Sequence, residues 1–195
     1  MGRVVLGLGN PGTKYEGSRH NVGHELVAAW AGETAASSWR SETTCRWCPR
    51  EGGVTAALTA VYMNESGQAA AWLVERFGVE AADLLVVHDE LDLPLGRMKL
   101  KRGGGCAGHR GVESVADMVG TEEFSRLRVG VGRPAGGAID VVDWVLSPFA
   151  GAEREVLDRV IQAGVGGIQS WIEDPFERAL AQINGVRLEP SRSDC

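Results

Sequence analysis

The chain has 195 residues, of which 44% are hydrophobic, and it carries a formal net charge of −6. This size and apolar content predict one globular domain, and the negative charge argues against non-specific coating of nucleic acid, which needs many Lys and Arg contacts to phosphate. No apolar run reaches the roughly 20 residues of a membrane-spanning helix, and the first residues lack a signal-peptide core. We therefore expect a cytoplasmic protein that makes no membrane contact.

Apolar periodicity predicts strands alternating with helices along the chain. The predicted strands cover residues 3–8, 44–47, 54–61, 84–87, 97–102 and 127–131. The predicted helices cover about 20–31, 67–77, 112–119 and a long C-terminal region from about 152. This alternation favours an α/β fold, a single-domain sandwich with a twisted mixed β-sheet flanked by helices. We expect the domain to span residues 1–187 and residues 188–195 to form a flexible tail.

The first predicted strand runs into a glycine motif. Gly7, Gly9 and Gly12 match the GxGxxG pattern of dinucleotide-binding loops. In such loops a helix follows directly and meets the pyrophosphate, whereas here Pro11 and the polar residues 13–17 delay the helix. A nucleotide-dependent oxidoreductase is therefore a minor alternative, which cofactor binding would support.

Two cysteines form a CxxC pair. Cys45 and Cys48 have the spacing of a redox site or of half a zinc site. No second pair and no close pair of histidines completes a zinc site in the sequence, so we expect reduced thiols without a metal.

Histidine is scarce, and each of the four lies in or beside a glycine-rich or polar segment: His20, His24, His88 and His109. His20 and His24 are four residues apart and, with Asp89 or Asp92, form a candidate metal site. Alternatively, His20 activates water as a general base while Asp89 orients its ring, provided that the strand ends converge. The sequence contains no GxSxG motif, the pattern that would indicate a serine nucleophile.

Basic residues occur in two clusters despite the acidic total. They are Arg97, Lys99, Lys101 and Arg102 in one segment, and Arg126, Arg128 and Arg133 in another. Each cluster is compatible with a solvated surface or with local contacts to RNA phosphates.

Four ordered motifs carry a resemblance to a known family. They are Gly7-Leu8-Gly9-Asn10-Pro11-Gly12 with Tyr15 and Arg19-His20-Asn21-Val22-Gly23; Tyr62-Met63-Asn64 with Ser66-Gly67; His88-Asp89-Glu90-Leu91-Asp92-Leu93-Pro94 with Gly96; and Gly103 to Gly111. In this order and spacing they resemble the signatures of bacterial peptidyl-tRNA hydrolases, over residues 3 to about 185.

The resemblance implies a monomeric enzyme, needing no metal or cofactor, that hydrolyses the ester of peptidyl-tRNA and releases peptide and tRNA for recycling. A non-catalytic RNA-binding relative of the same fold is the alternative. The presence of both His20 and Asp89 favours the enzyme.

The resemblance also implies residue roles. His20 accepts a proton from water, Asp89 keeps its imidazole basic, and Asn10 distinguishes a blocked amino group from a free one. The remaining implied substrate contacts are Tyr15, Tyr62 and Asn64 for the 3′ end or the peptide, and Lys101 and Arg128 for the acceptor-stem phosphate. Asn64 is also suited to hold the ester carbonyl as negative charge develops.

One position departs from the family pattern, which commonly has Gly-His-Asn-Gly where this chain has Gly108-His109-Arg110-Gly111. Asn both donates and accepts hydrogen bonds, whereas Arg only donates and reaches farther. We therefore expect Arg110 to contact the RNA backbone or the carbonyl oxygens of the substrate.

Overall fold

The computed structural model describes residues 2–32, 38–134, 136 and 139–189. In these residues one sheet is covered by helices on both faces. Its strands are β1 (Arg3–Gly7), β2 (Arg40–Ser41), β3 (Cys45–Pro49), β4 (Val54–Thr59), β5 (Leu84–Glu90), β6 (Met98–Arg102) and β7 (Ser125–Gly130). The α-helices are α1 (Val22–Ala31), α2 (Ser66–Phe77), α3 (Arg110–Val119), α4 (Val141–Leu146), α5 (Gly151–Glu173) and α6 (Phe176–Gly185).

The sheet is mixed and has the order β2-β3-β4-β1-β5-β7-β6. Strands β4, β1, β5 and β7 are parallel neighbours, whereas β2, β3 and β6 add antiparallel pairings at the two edges. The predicted α/β sandwich with a mixed sheet is therefore confirmed.

Two apolar cores lie on opposite faces of the sheet. The alternation of side chains along β1 sends Val5 into the core beneath α1, α5 and α6, and sends Val4 and Leu6 into the core beneath α2 and α3. All three side chains are fully buried because β1 lies in the middle of the sheet. A continuous apolar run is the pattern expected of such a strand.

The parallel strands end at a common edge of the sheet. The chain continues from β1 into Asn10, from β4 into Met63 and Asn64, and β5 carries Asp89 near its end. Strand β1 lies between β4 and β5. The connection after β1 leads to β2 on one side, whereas the connection after β4 leads to β5 on the other side. Open α/β sheets bind ligands at such a switch point, where the order of the strands reverses. The fold therefore brings the predicted site residues of three strands together.

The structure differs from the predicted elements chiefly in four places. Strand β5 continues to Glu90, because the main chain of Asp89 and Glu90 still pairs with β7 although the apolar run has ended. The predicted long C-terminal helix is two helices, separated at Asp174 and Pro175. Helix α4 and the short edge strand β2 were not predicted, because six residues and two residues carry little periodicity.

The end of the chain is described as far as Glu189. Leu188 packs against the core, and its main-chain N–H donates to the carbonyl of Gly96 at 2.9 Å. The other residues of the predicted tail, 190–195, lie outside the described part. Among the described residues, no helix is both long enough and apolar enough to cross a membrane.

The CxxC pair lies on β3 with its two side chains on opposite faces. Cys45 belongs to the core beneath α2 and α3, whereas Cys48 belongs to the core beneath α1 and α5. Burial raises the pKa of Cys45 to about 11 and also raises the pKa of Cys48. The pair therefore cannot bridge or share a metal without disrupting the strand, and both side chains serve as small core residues.

Candidate active site

His20 and Asp89 meet at the common strand edge. The Nδ1 atom of His20 lies 2.8 Å from Oδ1 of Asp89, which is 2% exposed. Since the carboxylate accepts from Nδ1–H, the lone pair of His20 is on Nε2, the ring nitrogen that a base would use. His20 and Asp89 both line the pocket at this edge.

Local hydrogen bonds hold the turn that carries His20. The turn is a short 3₁₀ helix, Arg19–Asn21, that leads directly into α1. Asn21 pairs with the main chain of Asn10, accepting from its N–H at 2.8 Å and donating to its carbonyl at 2.9 Å. The predicted helix thus begins with a tighter turn, and His20 is fixed against the end of β1.

His109 is a site residue that the sequence-based prediction missed. Its Nε2–H donates to the same Oδ1 of Asp89 at 2.9 Å, so one carboxylate oxygen accepts hydrogen bonds from two histidines. Its Nδ1 accepts from the main-chain N–H of Val112 at 3.3 Å and thereby caps α3. The signal in the sequence was a histidine at a helix start beside a glycine-rich loop, but nothing in the spacing connects it to Asp89.

The two histidines set the charge of Asp89. Burial raises the pKa of this carboxyl, but His109 and His20 outweigh burial and hold the pKa well below its usual range. Burial likewise lowers the pKa of His109, whereas the Asp89 carboxylate raises it, with a net shift upward. The cap at Nδ1 of His109 opposes protonation, since a protonated Nδ1 cannot accept from Val112. The geometry therefore supports an ionised Asp89 that accepts from Nδ1–H of His20 and from Nε2–H of His109.

The remaining histidines have structural roles. His24 lies beneath the first loop, 2.8 Å from the hydroxyl of Thr59 through Nε2, and burial lowers its pKa to about 4. His88 is fully enclosed, and burial lowers its pKa well below the usual value; its Nδ1–H donates to the main-chain oxygen of Asp89. Neither His24 nor Asp92 belongs to the one set of three potential metal ligands in the described residues, so the predicted metal alternative, His20 and His24 with Asp89 or Asp92, is wrong in its geometry.

The first glycine motif serves packing. A Cβ at Gly7 would lie 2.4 Å from the main-chain oxygen of Gly23, and one at Gly9 would lie 2.6 Å from the ring of His24. Only one 3₁₀ turn, Thr13–Tyr15, follows Gly12 directly, and α1 begins ten residues after Gly12, at Val22, so the motif does not lead into an α-helix as a dinucleotide loop requires. Close approach of α1 to β1 and its loop explains Gly7 and Gly9, whereas Gly12 has a φ of 97° that favours glycine.

Asn10 presents a hydrogen-bond donor to the pocket. Its Oδ1 accepts from the main-chain N–H of Met63 at 2.8 Å, which fixes the orientation of the side-chain amide. Since Oδ1 is engaged, the Nδ2 amide is the group left for a ligand. Asn10 is 8% exposed, so its amide is held rigidly at the pocket wall.

The pocket has a volume of about 320 Å³ and gathers further predicted residues. Tyr15 and Tyr62 meet edge to face at its rim, with ring centroids 6.4 Å apart, and Tyr62 is 53% exposed. Asn64 and Arg110 also line the pocket, and both are exposed. All the residues predicted for the ester and the peptide therefore surround one cavity.

Helix α4 supplies an apolar wall that was not predicted. Val141, Val142, Val145 and Leu146 line the pocket. Val142 is 56% exposed although it is apolar. An apolar wall beside polar groups is typical of a ligand-binding cavity.

Lys101 and Arg128 lie on the two strands beyond the pocket, on one face of the β6–β7 pair. The register places Lys101 opposite Arg126 and Lys99 opposite Arg128, so Lys101 and Arg128 are diagonal neighbours. Arg128 donates from Nε to Glu90 at 2.9 Å. Both cations therefore lie on the same face of this strand pair.

Arg126 has a different role from its neighbours. Arg126 is 3% exposed, and its guanidinium donates to the main-chain carbonyls of Gly103, Gly104 and Gly105. It therefore anchors the start of the glycine-rich loop to β7.

In the same loop Ala107 has φ 51°, a left-handed conformation that costs about 1 kcal/mol for a residue with a Cβ.

One set of three potential metal ligands occurs in the described part of the chain: His20, Asp89 and His109, with ligand atoms within 4.8 Å of one another. Two of these atoms, Nδ1 of His20 and Nε2 of His109, donate to the third. A metal ion there would replace both hydrogen bonds. The geometry as it stands is that of a histidine oriented by a carboxylate.

The fold and the pocket define an α/β protein with a histidine–carboxylate pair at the switch point of a mixed sheet. The family model described as peptidyl-tRNA hydrolase matches residues 4–191. The peptidyl-tRNA hydrolase of Aquifex aeolicus (strain VF5) is 42% identical over 188 residues, 93% of this chain and 96% of that protein. That of Synechococcus sp. (strain CC9605) is 39% identical over 199 residues, 96% of this chain and 97% of that protein.

A solved structure agrees. The crystal structure of peptidyl-tRNA hydrolase from Acinetobacter baumannii superposes with a TM-score of 0.83 at 28% identity and covers 95% of this chain and 96% of that one. The chain belongs to the peptidyl-tRNA hydrolase family. The predicted family and the predicted hydrolase activity are thereby confirmed, and the non-catalytic RNA-binding alternative is not supported.

Proposed function

We propose that this chain hydrolyses the ester between a peptide and the 3′-terminal ribose of tRNA by means of water that His20 activates. The hydrogen bond from Nδ1–H of His20 to Asp89 carries the proposal, because it leaves Nε2 of His20 as the proton acceptor at the pocket. An orienting carboxylate that fixes the tautomer and stabilises imidazolium is a general requirement of such a base. The enzyme is proposed to act in the cytoplasm, as a monomer and without a cofactor.

The proposed reaction needs no covalent intermediate. Nε2 of His20 takes a proton from water while the hydroxyl oxygen attacks the ester carbonyl carbon. The carbonyl oxygen becomes negative, and the Asn64 amide at the pocket is suited to donate to it. The bond to the ribose oxygen then breaks, and the proton on His20 passes to that oxygen, which yields the tRNA hydroxyl and the free peptide carboxylic acid.

The orientation of Asn10 supports selection of a blocked amino group. With Oδ1 engaged by Met63, its Nδ2 can only donate. The acyl carbonyl of a blocked amino group accepts such a bond, whereas a free ammonium group is itself a donor and is repelled. We therefore propose that Asn10 excludes aminoacyl-tRNA because of this fixed donor.

The RNA half of the substrate is proposed to meet Lys101 and Arg128. Both lie on one face of the strand pair β6–β7, which adjoins β5, the strand that carries Asp89. Glu90 holds Arg128 from one side and so orients its guanidinium. A local cation pair is compatible with the acidic total charge, because an end phosphate needs few contacts.

Arg110 is proposed to reach the substrate from the first turn of α3. In the described part of the chain no hydrogen bond or ion pair holds its side chain, and it lines the pocket. Replacing Arg110 with Asn, the residue common in the family, should raise KM and reduce the dependence of KM on salt. Unchanged KM and salt dependence would contradict this contact.

Hydrolysis of N-acetyl-aminoacyl-tRNA and of the matching aminoacyl-tRNA, with EDTA present throughout, tests the proposed function. We expect wild type to cleave only the blocked substrate, and Asn10→Asp, which keeps the acceptor for Met63 but loses the donor, to lose activity on it. His20→Ala and Asp89→Asn complete the series. Failure of wild type to cleave either substrate, or full loss of activity in EDTA that added metal restores, would contradict the proposal.

A further inference from the structure

Arg19 is a buried cation directly before His20. Its side chain is 3% exposed, and its guanidinium lies between two aromatic rings, 3.7 Å from the ring centroid of Trp144 and 4.9 Å from that of Phe149. Arginine is suited to this place because its planar group stacks on rings. The mechanism above does not use this residue.

The polar contacts of Arg19 all lead to the segment after α4. Its Nη2 donates to both carboxylate oxygens of Glu153, at 2.8 and 2.6 Å, and its Nη1 donates to the hydroxyl of Ser147 at 2.9 Å. Nη1 also donates to the carbonyls of Ser147 and Pro148. The main-chain N–H of Arg19 donates to the carbonyl of Ser147 as well. Both the main chain and the side chain of Arg19 therefore attach the segment after α4 to the His20 turn.

Helix α4 depends on these contacts more than the His20 turn does. It has six residues, too few to be stable alone, and Val145 is its only buried residue. Apart from the contacts to Arg19, its described attachments include the indole N–H of Trp144, which donates to Gly132. The His20 turn, by contrast, continues into α1 and is held by Asn21.

We propose that Arg19 is a positioning residue that fixes α4, so that its apolar wall receives the side chains of the peptide. The inference rests on the proposed function, because the wall borders the same pocket as His20. Val142, Val145 and Leu146 then form a rigid surface against the amino acid esterified to tRNA. Loss of Arg19 would loosen this surface and leave the histidine–carboxylate pair in place.

The proposal predicts a selective effect on substrates. Arg19→Met keeps the apolar body of the side chain and removes the charge, while Glu153, at 31% exposure, can turn to solvent. For N-acetyl-phenylalanyl-tRNA we expect KM to rise about tenfold, as for the loss of one apolar contact in a pocket. For N-acetyl-glycyl-tRNA we expect KM within about twofold, with kcat close to wild type on both.

Two further variants keep the test decisive. Arg19→Lys retains the charge without the planar fork and should recover part of the lost affinity for the phenylalanyl substrate. Trp144→Leu removes one face of the aromatic pair and should show the same selective rise in KM if Arg19→Met does not fold. Arg154→Met is the matched control, because Arg154 joins α5 to Glu25 of α1 without contacting α4.

Proteolysis tests the position of α4 without any assay of activity. Chymotrypsin should cleave at Trp144 at least fivefold faster in Arg19→Met than in wild type or in Arg154→Met, since a loosened helix exposes its main chain. Equal cleavage, or equal loss of kcat on both substrates, would overturn the proposal. If wild type hydrolyses neither substrate, the proposed function fails, whereas the cleavage result still decides whether Arg19 holds α4.

Discussion

The ester end and the RNA end of the proposed site are held in different ways. At the ester end, Asp89 is 2% exposed and accepts from His20 and His109 through a single oxygen. At the RNA end, Lys101 and Arg128 are half-buried on neighbouring strands, and Arg128 forms an ion pair with Glu90.

This difference reflects what each end must do. Proton transfer needs atoms fixed within a few tenths of an ångström, which buried and mutually bonded groups provide. A phosphate is bound mainly by charge, which tolerates movement but is screened by salt. Changes at the ester end should therefore lower kcat without a salt effect, and changes at the RNA end should raise KM in a salt-dependent way.

Among the variants that keep His20, the largest effect is expected from Asp89→Asn. The side-chain amide keeps the shape and one oxygen for the two ring donors but removes the negative charge that stabilises the protonated His20 ring, so kcat should fall about 10²-fold, as for the loss of a carboxylate that hydrogen-bonds a functional histidine. KM and its salt dependence should stay near wild type. A salt-dependent rise in KM without loss of kcat would contradict the division between the two ends.

The same variant tests the charge of Asp89 through stability. Because the folded-state pKa lies well below its ordinary value of 3.8, the ionised carboxylate stabilises the fold above about pH 4, and this contribution is lost as pH falls. The urea midpoint of wild type should therefore drop more steeply between pH 5 and pH 3, roughly the range set by this linkage, than that of Asp89→Asn. If the urea midpoints of the two proteins change with pH in parallel, the two histidines do not lower the pKa of Asp89.

A smaller effect is expected at His109, where two roles can be separated. His109→Ala removes both the bond to Asp89 and the cap of α3, so kcat should fall about tenfold and the free energy of unfolding by about 1 kcal/mol. Asn is a good capping residue, so His109→Asn should recover the stability but not kcat. If His109→Asn recovers both, the ring has no role beyond capping.

Sequence predicted the sheet and most of the site, for a physical reason. Parallel strands end at one edge, so Asn10, Asn64 and Asp89 had to converge once their strands were recognised. His109 and α4 were missed because they reach the pocket through tertiary contacts that no local periodicity encodes. Arg126 was assigned with the surface cations, although its side chain turns inward to the carbonyls of the glycine-rich loop.

The smallest effect is expected at the RNA end. Lys101→Ala should raise KM a few-fold at low salt and reduce the slope of log KM against log salt by about 1, as the loss of one phosphate contact does. Arg76→Ala is the control, because Arg76 is an exposed cation on the last turn of α2, away from the pocket. Equal effects of the two variants would contradict a specific phosphate contact at Lys101.

The most direct test of the central claim measures chemistry and binding on the same His20→Ala protein. In single-turnover hydrolysis of N-acetyl-aminoacyl-tRNA with EDTA present, its rate constant should fall about 10³-fold or more relative to wild type, the contribution of a general base. Its Kd for the intact substrate, and the salt dependence of that Kd, should remain those of wild type. A rate constant within tenfold of wild type, or a Kd that rises as the rate falls, would contradict His20 as the base.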